Sequence, residues 1–201
     1  MMWNHNLKSA LLAPITAALA LLASPAAVSD VEITGDTFSC LSEMTAVRHF
    51  FVDNLQGDID ATVAVANSPT GGRYPEGSLV QLVPGEAMIK REEGFNPATN
   101  DWEFFELDVS AEGTSIRKRG FTEVVNRFGG NCFGCHVKAE PQWDLVCDNY
   151  HGCDPIPLTR SIIGTIQKTD PRCGPVELSD EDKANLETLK AFRAASTAKQ
   201  E

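Results

Sequence analysis

From residue 77 to residue 121 apolar and polar positions mostly alternate, the two-residue period of strands with one buried face. Leu79-Val80-Gln81-Leu82-Val83 reads as one strand, stopped by Pro84-Gly85, and Ala87-Met88-Ile89-Lys90-Arg91 as a second, ended by the 94–100 loop with its Pro97. Trp102 to Val109 is a third, with Phe105, Leu107 and Val109 on one face, and the more polar Thr114 to Gly120 is a fourth, expected at a sheet edge. Short connections predict an antiparallel meander.

Helical patterns flank these strands. Asp58 can cap a helix running to about Asn67, before the turn Ser68-Pro69-Thr70-Gly71-Gly72. Thr122 can cap a short helix that turns Val124, Val125 and Phe128 inward and ends at Gly129-Gly130. Ser179-Asp180-Glu181-Asp182 resembles a capping box opening a helix with Leu186, Leu189 and Phe192 on one stripe. Residues 41–56 fit two patterns. Leu41, Met44, Phe51 and Leu55 suit a helix, whereas Val47, His49 and Phe51 alternate as in a strand.

The first 29 residues stand apart. Lys8 precedes an apolar stretch from Ala10 to Ala23, and small residues follow, with Ala27-Val28-Ser29 or Ser24-Pro25-Ala26 as the cleavage site. This is the pattern of a secretory signal peptide, too short in its apolar part for a permanent span. No cysteine adjoins either site, so no lipid anchor is expected. Residues 30–201 then form one exported domain, periplasmic or secreted, without a permanent membrane anchor. Loss of Lys8 leaves 16 basic and 28 acidic residues, a net charge of −12 that argues against nucleic acid and suits a solvated acidic surface or a basic redox partner.

The six cysteines bring the chemistry. Cys132-Phe133-Gly134-Cys135-His136 is the C-x-x-C-H signature of covalent c-type haem attachment. Its thiols would form thioethers with the haem vinyl groups, and His136 would follow as the proximal iron ligand. Cys40, Cys147, Cys153 and Cys173 remain, an even number that points to disulfides in an oxidising compartment. Three connectivities exist, and closeness in sequence favours Cys147 with Cys153, leaving Cys40 for Cys173. The rival is a zinc site of Cys132, Cys135, Cys147 and Cys153. No methionine follows His136, so the late axial methionine of small electron-transfer cytochromes is absent. Strands precede the motif and 65 residues follow it, unlike the helical-bundle cytochromes c′.

The run Gly77-Ser78-Leu79-Val80, the segment Asp101-Trp102-Glu103-Phe104-Phe105, and Cys132–His136 followed by Trp143-Asp144-Leu145-Val146 together resemble the cytochrome P-460 family, relatives of the gas-binding cytochromes c′-beta. The resemblance covers most of residues 45–150. It implies an antiparallel sheet with helices, often a homodimer, holding a five-coordinate haem c with an open distal site. The implied activities are hydroxylamine oxidation in one branch and nitric oxide or carbon monoxide binding in the other. The hydroxylamine branch uses a lysine cross-linked to the haem edge. Alignment on Gly77-Ser78 puts Gln81 or Leu82 at that position, and Lys90, on the next strand, is the nearest lysine. Arg48 matches a distal-pocket arginine able to donate hydrogen bonds to a bound anion, peroxide or nitrogen oxide.

His49 and His151 are candidate sixth ligands, each weighed against an ordinary hydrogen-bonded histidine. Met88, Trp102, Phe104 and Phe105 are expected in the core, some of them walling the haem. Glu103 and Glu106 are candidates for proton transfer, set against exposed strand carboxylates. The expectation is therefore an α+β domain, an antiparallel sheet with flanking helices around one covalent haem c, and a C-terminal helical extension. Its function would be binding or redox chemistry of small nitrogen oxides. The alternatives are an electron carrier with a sixth ligand and a disulfide- or zinc-stabilised binding module without haem.

Overall fold

Alternation in the middle of the chain becomes one sheet in the computed structural model, which describes residues 1–2 and 31–197. The expected signal peptide, apart from Met1 and Met2, lies outside the described residues. Within the unit Val31–Glu201, six strands pair antiparallel in chain order. They are β1 (Thr45–Val47), β2 (Phe50–Asn54), β3 (Ser78–Val83), β4 (Glu86–Lys90), β5 (Trp102–Ser110) and β6 (Gly113–Gly120). Among the described residues four α-helices accompany them: α1 (Ile59–Ala66), α2 (Cys132–His136), α3 (Arg160–Lys168) and α4 (Asp180–Thr197). The fold is α+β, and polar β6 is an edge strand as expected.

Both faces of the sheet are covered, because successive side chains point to opposite sides. One face gathers Val52, Val80, Met88, Trp102 and Phe104 with Ala66, Tyr74, Val124 and Val146 from outside the sheet. Half-buried Cys132, Phe133 and Leu145 pack against it. The other gathers Leu79, Ala87, Ile89, Phe105 and Leu107 beneath Ile33, Phe38, Leu41 and Met44. The ambiguous stretch 41–56 thus becomes a single turn of 3-10 helix (Leu41–Glu43) and two strands, and its apolar residues divide between the faces.

Capping decides the helix starts. Asp58 Oδ1 accepts from Ala61 N–H at α1, and Ser179 and Asp182 exchange backbone-to-side-chain bonds at α4. The helix expected after Thr122 does not form. Asn126 Oδ1 takes the N–H groups of Phe128 and Gly130, Arg127 N–H goes to Glu106, and Gly129 lies at φ +82°. These groups leave no i-to-i−4 ladder, and the segment folds back through a Val125–Asn131 bridge. Helix α3 was not anticipated. Its β-branched, glycine-containing run Ser161-Ile162-Ile163-Gly164-Thr165 is poor in helix propensity, yet Thr159 caps it and Ile162 and Ile163 are buried.

The two disulfides are Cys40–Cys173 and Cys147–Cys153, the favoured pairing. Cys40–Cys173 fastens the 31–44 strap, and a polar clamp lies beside it. Asp170 Oδ2 accepts from Leu41 N–H at 3.0 Å, and Arg172 grips both Asp170 oxygens at 2.9 and 2.6 Å while donating to Phe38 O. Burial alone would raise Asp170, but Arg172 and the N–H groups of Leu41 and Arg172 hold its carboxyl below the ordinary range.

Because Cys40–Cys173 spans 133 residues of sequence, its loss releases a large denatured ensemble. The double variant Cys40→Ser/Cys173→Ser should lose about 3–5 kcal/mol of unfolding free energy by urea titration. Removal of the short Cys147–Cys153 loop should cost less.

Candidate haem-attachment site

The face that receives the C-x-x-C-H turn is ordered in rows. Across β4 and β5, Lys90 opposes Trp102, Met88 opposes Phe104 and Glu86 opposes Glu106. A cation, an apolar centre and a carboxylate pair therefore follow one another along the strands. Glu103 and Glu106, weighed as exposed carboxylates, are both buried. Glu103 points to the opposite face, where Arg91 and Arg119 hold it at 2.7 and 2.6 Å.

Helix α2 carries the motif. Asn131 caps it, accepting Gly134 N–H at 2.6 Å while its amide donates to Thr122 O at 2.8 Å, and Cys132 N–H donates to Val124 O. Cys132 and Cys135 are unbridged and half-buried. Burial, then the charges of Glu86 and Glu106, push the Cys132 thiol up to about 12, and burial raises Cys135 as well. Such thiols are poor thiolates, which disfavours the exchange chemistry of a redox Cys-x-x-Cys pair. The rival zinc set loses two ligands, because Cys147 and Cys153 are bonded to each other.

His136 lies 5.3 Å from Phe104, ring centre to ring centre. Its Nδ1–H donates to Leu145 O at 2.7 Å, which fixes the ring and leaves the lone pair on Nε2. Burial lowers its affinity for a second proton, so the ring is held neutral. A neutral imidazole with Nε2 uncommitted, one residue beyond a pair of thiols spaced for thioethers, fits haem c.

The acceptor of that bond belongs to an unusual segment. Asp144 and Leu145 both adopt left-handed backbone, φ 49° and 63°, a conformation that costs non-glycine residues about 1–3 kcal/mol each. The bend aims three successive carbonyls at three rings. Asp144 O accepts from Trp102 Nε1, Leu145 O from His136 Nδ1 and Val146 O from His151 Nδ1, each at 2.7 Å. The Asp144 carboxylate holds Lys90 Nζ at 2.9 and 2.7 Å and accepts Tyr74 N–H at 2.9 Å. Close backbone contact secures the far side: Gly72 N–H donates to Gln142 O, and a Cβ on Gly71 would stand 2.1 Å from that oxygen.

The other sequence candidates are placed as follows. Lys90 is 2% exposed, with Nζ shared between Asp144 and Asn100 O at 2.6 Å, over the Trp102 ring. Burial lowers its pKa while Asp144 raises it. Arg48, at φ 51° between β1 and β2, gives its Nε to Asp148 at 2.6 Å. His49 Nε2 contacts the same carboxylate at 2.9 Å. Arg48 and His49 thus clamp the loop that follows Val146. His151 is buried, bonded to Val146 O and stacked on Trp143 at 3.9 Å. Met88, Trp102, Phe104 and Phe105 lie in the core as expected. Asp148 and Glu86 stand in no motif, and Asp144 appears in the sequence only as part of the Trp143–Val146 run with no role of its own; the three-dimensional neighbours give all three their work.

No protein-family model, curated protein or solved structure matches this chain.

Breaking a buried ion pair from one side leaves the other charge unpaired, at a cost of about 3–5 kcal/mol. Asp144→Ala should be destabilised by about that amount in chemical denaturation. Lys90→Met/Asp144→Leu should lose clearly less than the summed single variants, giving a favourable coupling energy for the pair.

Proposed function

We propose that the protein is an exported monohaem c-type cytochrome whose iron, held by His136, keeps its opposite side open for a small nitrogen oxide such as nitric oxide. The observation behind this reading is the division of the cysteines and the histidine. Four cysteines close two disulfides, and the remaining two flank an imidazole whose Nδ1 is committed and whose Nε2 is available.

On this reading Cys132 and Cys135 hold the macrocycle by thioether bonds. Haem c supplies an iron that binds diatomic ligands and passes single electrons. The chain's own contribution is orientation. Leu145 O sets the His136 tautomer, Asn131 holds the turn, and Phe104 and Phe133 provide an apolar wall that limits water. Disulfides fit the oxidising compartment in which a signal peptide would deliver the chain. Among the described residues no helix is long and apolar enough to cross a membrane.

The placement of the spare ligands supports an open iron. Met88 is buried in the core, and Met44 lies on the far face of the sheet. His49 is engaged by Asp148, and His151 by Val146 O and the Trp143 ring. These attachments disfavour the electron-carrier alternative, which needs a strong sixth ligand.

Expressed with a haem-ligation system, the protein should gain the mass of one haem that resists acidic acetone, and Cys132→Ala/Cys135→Ala should lose it. The ferrous form should be high spin and should bind carbon monoxide and nitric oxide. No covalent haem by mass would sink the reading, and a low-spin spectrum altered by His49→Ala or His151→Ala would replace it with the carrier.

Lys90 Nζ is committed to Asp144 and Asn100 O, so it should not attack the haem edge. A haem-peptide digest should contain no lysine adduct, and hydroxylamine turnover should be slight. Recovery of Lys90 in the haem peptide, with turnover lost in Lys90→Ala, would show the hydroxylamine branch to be the better description.

A further inference from the structure

Glu86 and Glu106 are not needed to attach anything, yet they stand directly opposite each other on the face that receives α2. Glu106 is fully buried. Its Oε1 accepts from Arg127 Nε at 2.7 Å and Arg127 N–H at 3.2 Å, with Arg117 Nη1 at 3.5 Å. Its Oε2 is buried and has no hydrogen-bond partner. Glu86 is half-buried, and its Oε1 accepts from Asn126 Nδ2 at 2.9 Å.

Two carboxylates at one cross-strand position repel when both are ionised, and burial strengthens the repulsion. Arg127 and Arg117 both pair with Glu106, whereas Glu86 is bonded by the neutral Asn126 amide. Burial, then the Glu106 charge, raise Glu86 above the ordinary carboxylate range, while Asn126 and Arg127 oppose them. A protonated Glu86 would present an O–H donor from the position opposite Glu106, whose Oε2 has no partner.

The pair lies on the sheet face against which Cys132 packs, in the same row as Met88 and Phe104. Resting on the haem reading above, we propose that Glu86 and Glu106 together hold one exchangeable proton whose uptake and release accompany the one-electron change at the iron. One electron from a donor protein or mediator is matched by one proton from solvent, entering at half-buried Glu86 and shared with Glu106. Oxidation returns both. The direction follows from charge: an added positive charge at the haem weakens the pair's hold on its proton, and its removal strengthens it. The other charged or titratable groups turned toward the pair are Arg117 and Lys118 on β6, Asp108 on β5, Arg127 before the motif and Cys132 on α2. On the haem reading Cys132 is a thioether.

The test is spectroelectrochemistry of the holoprotein as a function of pH, after mass spectrometry has established covalent haem. Between the pKa values of the oxidised and reduced pair, each tenfold fall in proton activity should lower the reduction equilibrium by up to tenfold, about 59 mV per pH unit for one electron. Glu86→Gln, which keeps an acceptor for Asn126, should flatten that dependence. Infrared spectra of the haem-free protein at neutral pH should contain a carboxylic-acid C=O band that Glu86→Gln removes, a readout independent of the iron. Absence of covalent haem would defeat the underlying reading. With haem present, a flat profile in the wild type, a slope retained in Glu86→Gln, or no carboxylic-acid band would overturn this inference alone.

Discussion

The bend at Asp144 and Leu145 is the constraint on which the candidate site depends. Two consecutive non-glycine residues in left-handed backbone are unfavourable on their own. They persist because the bend aims three carbonyls at three ring N–H groups while its carboxylate closes a buried ion pair. Trp102 belongs to the sheet, His136 to α2 and His151 to the disulfide loop. One short segment therefore joins the core to the imidazole and to the loop behind it. Relaxing the bend would free His136 to rotate and would strand Lys90 without its counterion in the same event.

That segment in turn needs a rigid surface beneath it. The sheet provides one because both its faces are sealed, one by the 31–44 strap and one by α1 and the 124–146 region. The strap is held where propensity gives little help. Its disulfide and the Asp170–Arg172 clamp tie it to the chain far downstream. With the far face closed, Trp102 and Phe104 are positioned from behind as well as from the side of the site.

Polarity along the site face is graded rather than uniform. Lys90 with Asp144 occupies one end, Met88 and Phe104 the centre, and Glu86 with Glu106 the other. Each charged end is compensated locally, by a carboxylate at the first and by Arg127 at the second. The apolar centre suits the neutral His136 imidazole beside Phe104. The same gradient explains the contrasting fates of the carboxylates on β5. Glu103 meets two arginines on the opposite face, whereas Glu106 shares its side with a second carboxylate.

Much of this protein is written in short-range pattern. The alternation from 77 to 121 determined four strands and their order, because the side-chain period of two is a local property of extended backbone. Asp58 and the Ser179–Asp182 box determined two helix starts, since caps act within one turn. The Cys132–His136 spacing determined the candidate chemistry for the same reason. Tertiary structure decided the rest. Within residues 41–56, Thr45–Val47 and Phe50–Asn54 became strands because β3 was available to pair with β2. The expected helix after Thr122 gave way to side-chain acceptors and to Glu106, an acceptor distant in sequence. Lys90 found its partner at Asp144, Arg48 at Asp148 and Leu41 at Asp170. Such pairings depend on which faces meet when the chain closes on itself, and a linear pattern contains no record of that.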